Sequence, residues 1–225
     1  MFLTIDPLFY ILVAPAFLLS IYATFKVKRT FKKYSKVATA SGMTGAQAAQ
    51  RMLASSGVHD VQIEAVGGFL SDHYDPSKKV LRLSPDVFSG KSVSSVGVAA
   101  HEAGHALQDA GGYAPLKFRT AIVPMASIGS KLVWPVLIIG IILASTALIK
   151  IGIIFFGMVV AFQLITLPVE FNASRRAVAA LSSSGMLMEQ EVDGARTVLR
   201  AAAMTYVAAA AMAVLQLIYF LLRYR

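Results

Sequence analysis

The sequence predicts a mainly α-helical, polytopic membrane protein in which about four transmembrane helices accompany a small α+β region. Three observations predict it. Of 225 residues, 56% are hydrophobic and only 15% charged, against about 25% charged in an ordinary soluble domain. Four apolar stretches are each long enough to cross a bilayer, which takes about 20 residues of helix, with a lower limit near 17. Between the first and second of these, the pattern changes to amphipathic helices and alternating strands.

The expected spans are about residues 7–25, 132–149, 151–167 and 201–222. The second carries Lys131 and Trp134 at its start, where interfacial anchors belong, and Lys150 is expected to mark the tight turn into the third. The first reads as an uncleaved anchor and not a signal peptide: Asp6 precedes it, and its basic cluster (Lys26, Lys28, Arg29, Lys32, Lys33, Lys36) follows it. That cluster places the following chain in the cytoplasm, so residues 26–120 and 168–200 are expected to form a cytoplasmic region of a single membrane-embedded domain covering 1–225. The net charge of +9 sits beside apolar segments, as suits anionic lipid, and no nucleic-acid recognition motif accompanies it, so nucleic acid is not an expected partner.

Within residues 26–120, Thr44 is placed to cap a helix over 46–55 whose apolar positions are Ala48, Ala49, Met52 and Leu53. Residues 61–66 alternate with period two and read as a strand, and Val80–Leu83 reads as another. The latter is a candidate edge strand for pairing with an extended peptide, an ordinary hairpin strand being the alternative. A further helix is expected from about Ser92 to Ala110, closed by Gly111-Gly112.

That helix carries His101-Glu102-Ala103-Gly104-His105. Residues four apart on a helix differ by about 40° in direction, so the two imidazoles stand one turn apart on one face and can share one tetrahedral Zn2+. Glu102 points past the metal, where a general base acting on metal-activated water belongs. Ala103 and Gly104 leave room for another element to pack closely. The chain has no cysteine, so disulfides are excluded and the metal ligands must come from His, Asp and Glu. Two histidines and a glutamate flanked by Val96–Ala100 and Ala106-Leu107 would be costly to bury without such partners.

A third ligand is required. His59 and His73 are candidates, but His73 lies in a turn-rich segment. Glu170 is the stronger one: it follows the third span directly, where an acid is expensive unless it faces a partner, and two spans separate it from His105, returning it to the same side. A salt bridge from Glu170 to Arg175 or Arg176 is the alternative reading. Gln108, three residues after His105, shares the ligand face and is a candidate to contribute around the ligands. Tyr206, on a helix rich in small residues, is the candidate oxyanion donor, with an interfacial anchor as the equal alternative.

These residues resemble the YugP-type membrane neutral zinc metallopeptidases. The likeness is carried by Gly42–Gly45, Asp72–Pro76 with Leu81–Ser84, Ala100–Gln108, Leu167–Arg176, and Gly194–Arg196 through Ala201–Ala209. The resemblance implies zinc-dependent peptide hydrolysis at a membrane, with His101 and His105 as ligands and Glu102 as base. More distantly, the chain is similar to HtpX-like and CAAX-prenyl proteases, in which a Glu within Glu-Phe-x-Ala-Asp supplies the third ligand. Glu170-Phe171-Asn172-Ala173-Ser174 fits that pattern except at Ser174, where an Asp would orient a zinc-binding His.

The expected protein is therefore a zincin-like, HExxH-bearing membrane endopeptidase acting on a peptide or membrane-protein substrate, with no protein partner identifiable. The alternative is a membrane scaffold that retains zinc and cleaves nothing. An intact Glu102, for which a purely structural site has no use, argues against it.

Overall fold

In a computed structural model, which describes residues 6–68 and 71–224, the described residues form seven helices and one three-stranded sheet. The order is α1 (Pro7–Tyr34), α2 (Gly45–Ser55), β1 (Gln62–Ala65), β2 (His73–Asp75), β3 (Val80–Leu83), α3 (Pro85–Phe88), α4 (Val93–Ala110), α5 (Ala114–Ile142), α6 (Thr146–Ser183) and α7 (Glu189–Arg223). The mainly helical class and its small sheet are as the sequence predicts. Helices α1, α5, α6 and α7 are each long and apolar enough to cross a membrane.

The chain divides into two compact units. One comprises Met1–Thr24, Phe118–Leu167 and Met204–Arg225. Its core includes Val133, Leu137, Ile149, Phe156, Val160 and Phe220. Large apolar side chains point outward from its helices, among them Ile11 (70% exposed) and Ile142 (73%). Asp6 closes the start of α1 by accepting from Leu8 N, and it also accepts from Tyr219 Oη and pairs with Arg223 Nε, which sets the beginning of α1 beside the end of α7. The turn between α5 and α6 falls at residues 143–145 and not at Lys150. Ala144 takes a left-handed φ of 48°, and Ser145 O and Oγ accept from Ile149 and Leu148, starting the next helix. Lys150 therefore lies inside α6, which also continues through Pro168.

The other unit comprises Phe25–Lys117 and Pro168–Ala203, and its core is built around α4. Thr44 caps α2 in a reciprocal box with Gln47, worth about 1 kcal/mol, and α2 presents Ala48, Ala49, Met52 and Leu53 to the core. Small residues allow α4 to be enclosed on several sides: a Cβ on Gly97 would lie 3.2 Å from Ala195 Cβ, and one on Gly104 only 2.6 Å from Ala173 O. The sheet order is β1-β3-β2, with β3 parallel to β1 and antiparallel to β2. Val80–Leu83 is thus the central strand, which corrects its reading as an edge: both sides of its backbone are paired, and no peptide can add to it. The period-two signal could not show this, because β2 lies in the segment read as turn. His73 opens that strand, and Asp72 just before it accepts from Ser84 N and Oγ. Arg82 pairs with Asp75 across the ladder.

Candidate metal centre

Helix α4 starts at Ser92, whose hydroxyl accepts from Ser95 N, and ends at Gly111. Along it His105 is buried, Glu102 is 9% exposed and His101 is half-buried. Facing them is the stretch of α6 that begins at Pro168, with Glu170 only 2% exposed. Glu170 Oε2 lies 3.2 Å from His101 Nε2 and 3.6 Å from His105 Nε2. Among the described residues, His101, His105 and Glu170 form a group able to hold a metal ion, with ligand atoms all within 4.8 Å of one another. Tetrahedral zinc with bonds of about 2.0–2.1 Å requires ligand atoms about 3.4 Å apart. The carboxylate–imidazole separations therefore fit with small adjustments.

The far side of each imidazole is also engaged. His105 Nδ1 is 3.0 Å from Gln108 Oε1, while Gln108 Nε2 donates to Val169 O (2.8 Å) and Asn172 Oδ1 (3.0 Å). A carbonyl can only accept, so Val169 fixes which end of the amide faces His105. The proton must then sit on His105 Nδ1, leaving the Nε2 lone pair for a ligand. Asn172 is held in turn by Arg176 Nε at 2.8 Å. Ser174 Oγ lies 3.1 Å from His101 Nδ1. Burial pushes the His105 pKa down, but the Glu170 hydrogen bond and the Glu102 charge more than offset this and hold it above its ordinary value.

Glu102 makes no hydrogen bond or ion pair with any described residue. His59 and His73 are exposed, and His73 Nδ1 contacts Ser71 O. Gln108, which its spacing places on the ligand face, hydrogen-bonds the His105 imidazole. Its spacing from His105 was visible, but its bonds to α6 were not. Tyr206 lies on α7 in the other unit, partly buried.

Residues 9–225 match the model of a protein family described as "Putative neutral zinc metallopeptidase". The chain belongs to this family. It is also 47% identical over 215 residues to the "Putative membrane protease YugP" of Bacillus subtilis (strain 168), covering 96% of each chain. No solved structure matches it. Zinc is accordingly the metal of the family, and the His/His/Glu group is chemically suited to it: two neutral imidazoles and one carboxylate are the donor set of many catalytic zinc sites.

Proposed function

We propose that the chain is a membrane-embedded zinc endopeptidase in which His101, His105 and Glu170 hold the metal and Glu102 is the general base. The convergence of both Nε2 atoms on the Glu170 carboxylate, with both Nδ1 atoms already engaged, carries this reading. Three protein ligands are the number that catalytic zinc sites use, where structural sites use four. A zinc ion held there would supply Lewis acidity toward a carbonyl and toward water near neutral pH. Glu102, nearly buried and uncommitted to any described partner, would take a proton from the attacking water and deliver it to the leaving amine. Gln108 holds His105 in the tautomer that ligation needs, and the Ser174 hydroxyl is placed to accept the His101 Nδ1 proton. Tyr206 is the proposed donor to the developing oxyanion.

The membrane reading rests on the four apolar helices and their outward-facing large side chains, which would be a liability in water. The pairing of Asp6 with Tyr219 and Arg223 puts both ends of the four-helix path together, as an even number of crossings demands. The basic cluster after the first span supports a site on the cytoplasmic face. The test is Glu102→Gln. It should retain zinc and fold while losing about 10²–10⁴-fold in chelator-sensitive cleavage of an unfolded protein in detergent. Equal cleavage by both forms would assign the base elsewhere. A wild type that cuts nothing would favour a zinc-holding scaffold.

A further inference from the structure

Away from the metal centre, an open pocket of about 720 Å³ is lined by Lys28, Lys32, Lys36 and Lys91, with Asp86 as its one carboxylate. Its volume falls within the range of about 300–1,000 Å³ typical of ligand sites. Lys28, Lys32 and Lys36 are spaced four apart, Lys28 and Lys32 stacked on one face of α1 and Lys36 just beyond its end. Like charges at that spacing repel. Lys91 comes from a different segment, between α3 and α4. None of the four lysines has an ion-pair partner among the described residues. The walls are fixed: Thr39 N donates to Lys91 O, Val93 N donates to Val37 O, and Phe31 is packed into the core. The serines on the wall are already committed, Ser95 Oγ donating to Asp86 O and Ser92 Oγ accepting from Ser95 N. The lysines therefore supply the recognition.

We propose that this pocket binds a phosphate group, and that its source is the headgroup of an anionic phospholipid. Four cations against one carboxylate make a site for an anion. A flexible ammonium is suited to phosphate as a point charge, and an arriving phosphate relieves the repulsion within the lysine stack. The lipid source follows from position: Lys28 lies three residues past Phe25, which ends the first apolar stretch and is 74% exposed. This choice of source rests on the membrane reading of α1. The pocket itself, and its distinction from the peptidase site, do not.

The experiment measures binding of a short-chain phosphatidylglycerol, below its micelle concentration, to the full chain in non-ionic detergent by thermal shift and calorimetry. Short-chain phosphatidylcholine and inorganic phosphate are run in parallel. Phosphatidylglycerol should raise the unfolding midpoint, and phosphatidylcholine should not. Lys32→Gln and Lys91→Gln should each weaken binding about fivefold, the worth of one basic residue at a lipid headgroup, although they lie on separate segments. Arg29→Gln and Lys33→Gln, equally basic neighbours outside the pocket, should leave it unchanged. This contrast separates a built pocket from a diffuse basic surface, and since these side chains are exposed, folding should survive. Lysine-dependent binding of inorganic phosphate without phosphatidylglycerol would support the phosphate site and overturn the lipid source. Equal losses in all four variants, or no binding of either anion, would overturn the proposal. None of these readouts uses zinc or proteolysis, so a failed peptidase assay would not affect them.

Discussion

Replacing Gly104 by Ala adds one methyl group between the two helices that carry the proposed metal centre. Its Cβ would lie 2.6 Å from Ala173 O, 3.2 Å from Ala173 C and 3.3 Å from Ala173 Cα. All three are backbone atoms, so no side-chain rotation relieves the clash. Ordinary contact begins near 3.4 Å, so α4 and α6 must part by about 0.8 Å at this level, whereas metal–ligand distances tolerate only about 0.2 Å. Ala173 lies one turn from Glu170 and adjoins Ser174, so the displacement carries off both the proposed third ligand and the hydrogen-bond partner of His101. Overpacking of this kind costs about 1–3 kcal/mol, and if it falls on the metal-binding geometry zinc affinity drops by about tenfold to a hundredfold. The assay is competition for zinc against a chromophoric chelator, with thermal unfolding in parallel. Gly97→Ala is the control: its Cβ would meet Ala195 Cβ at 3.2 Å on α7, where no proposed metal ligand lies, so zinc affinity should hold. A folded Gly104→Ala protein that binds zinc as tightly as the wild type would refute the claim that this close approach sets the site.

Two further substitutions probe the surroundings of the metal. Gln108→Leu removes the acceptor for His105 Nδ1 and should weaken zinc about 10–100-fold in the same chelator competition, and unchanged affinity would show that the amide does not orient the imidazole. Tyr206→Phe should lower kcat by about 10²–10³-fold if its hydroxyl stabilises the oxyanion, with zinc content unchanged, and full activity would leave it an interfacial anchor.

The helix carrying His101, Glu102 and His105 was legible because its pattern is local. Two histidines four apart and the Glu between them share a face through helix geometry alone, and Ser92 and Gly111 mark the ends. Glu170 was legible through cost: an acid after an apolar span needs a reason to be there. The supports of the imidazoles were less so. Ser174 stood out as a departure from a related pattern, whereas Gln108 is tied to Val169 and Asn172, residues 61 and 64 positions distant, which no spacing rule connects. The centrality of β3 was hidden because strand β2 is only three residues long, too short for alternation to register, and begins beside a turn-forming segment. The early turn at Ala144 was missed because Lys150, the nearest charge, is a poorer guide to a helix end than the left-handed backbone at Ala144 and the cap at Ser145.

The central claim is that His101, His105 and Glu170 hold one zinc ion, and the zinc content of the purified protein tests it most directly. The wild type should carry about one zinc per chain. His101→Ala and His105→Ala should lose most of it and Glu170→Gln much of it, because a three-ligand site has none to spare, while His59→Ala and His73→Ala keep it. Full occupancy in His101→Ala, or a site emptied by His59→Ala or His73→Ala but not by Glu170→Gln, would contradict the account.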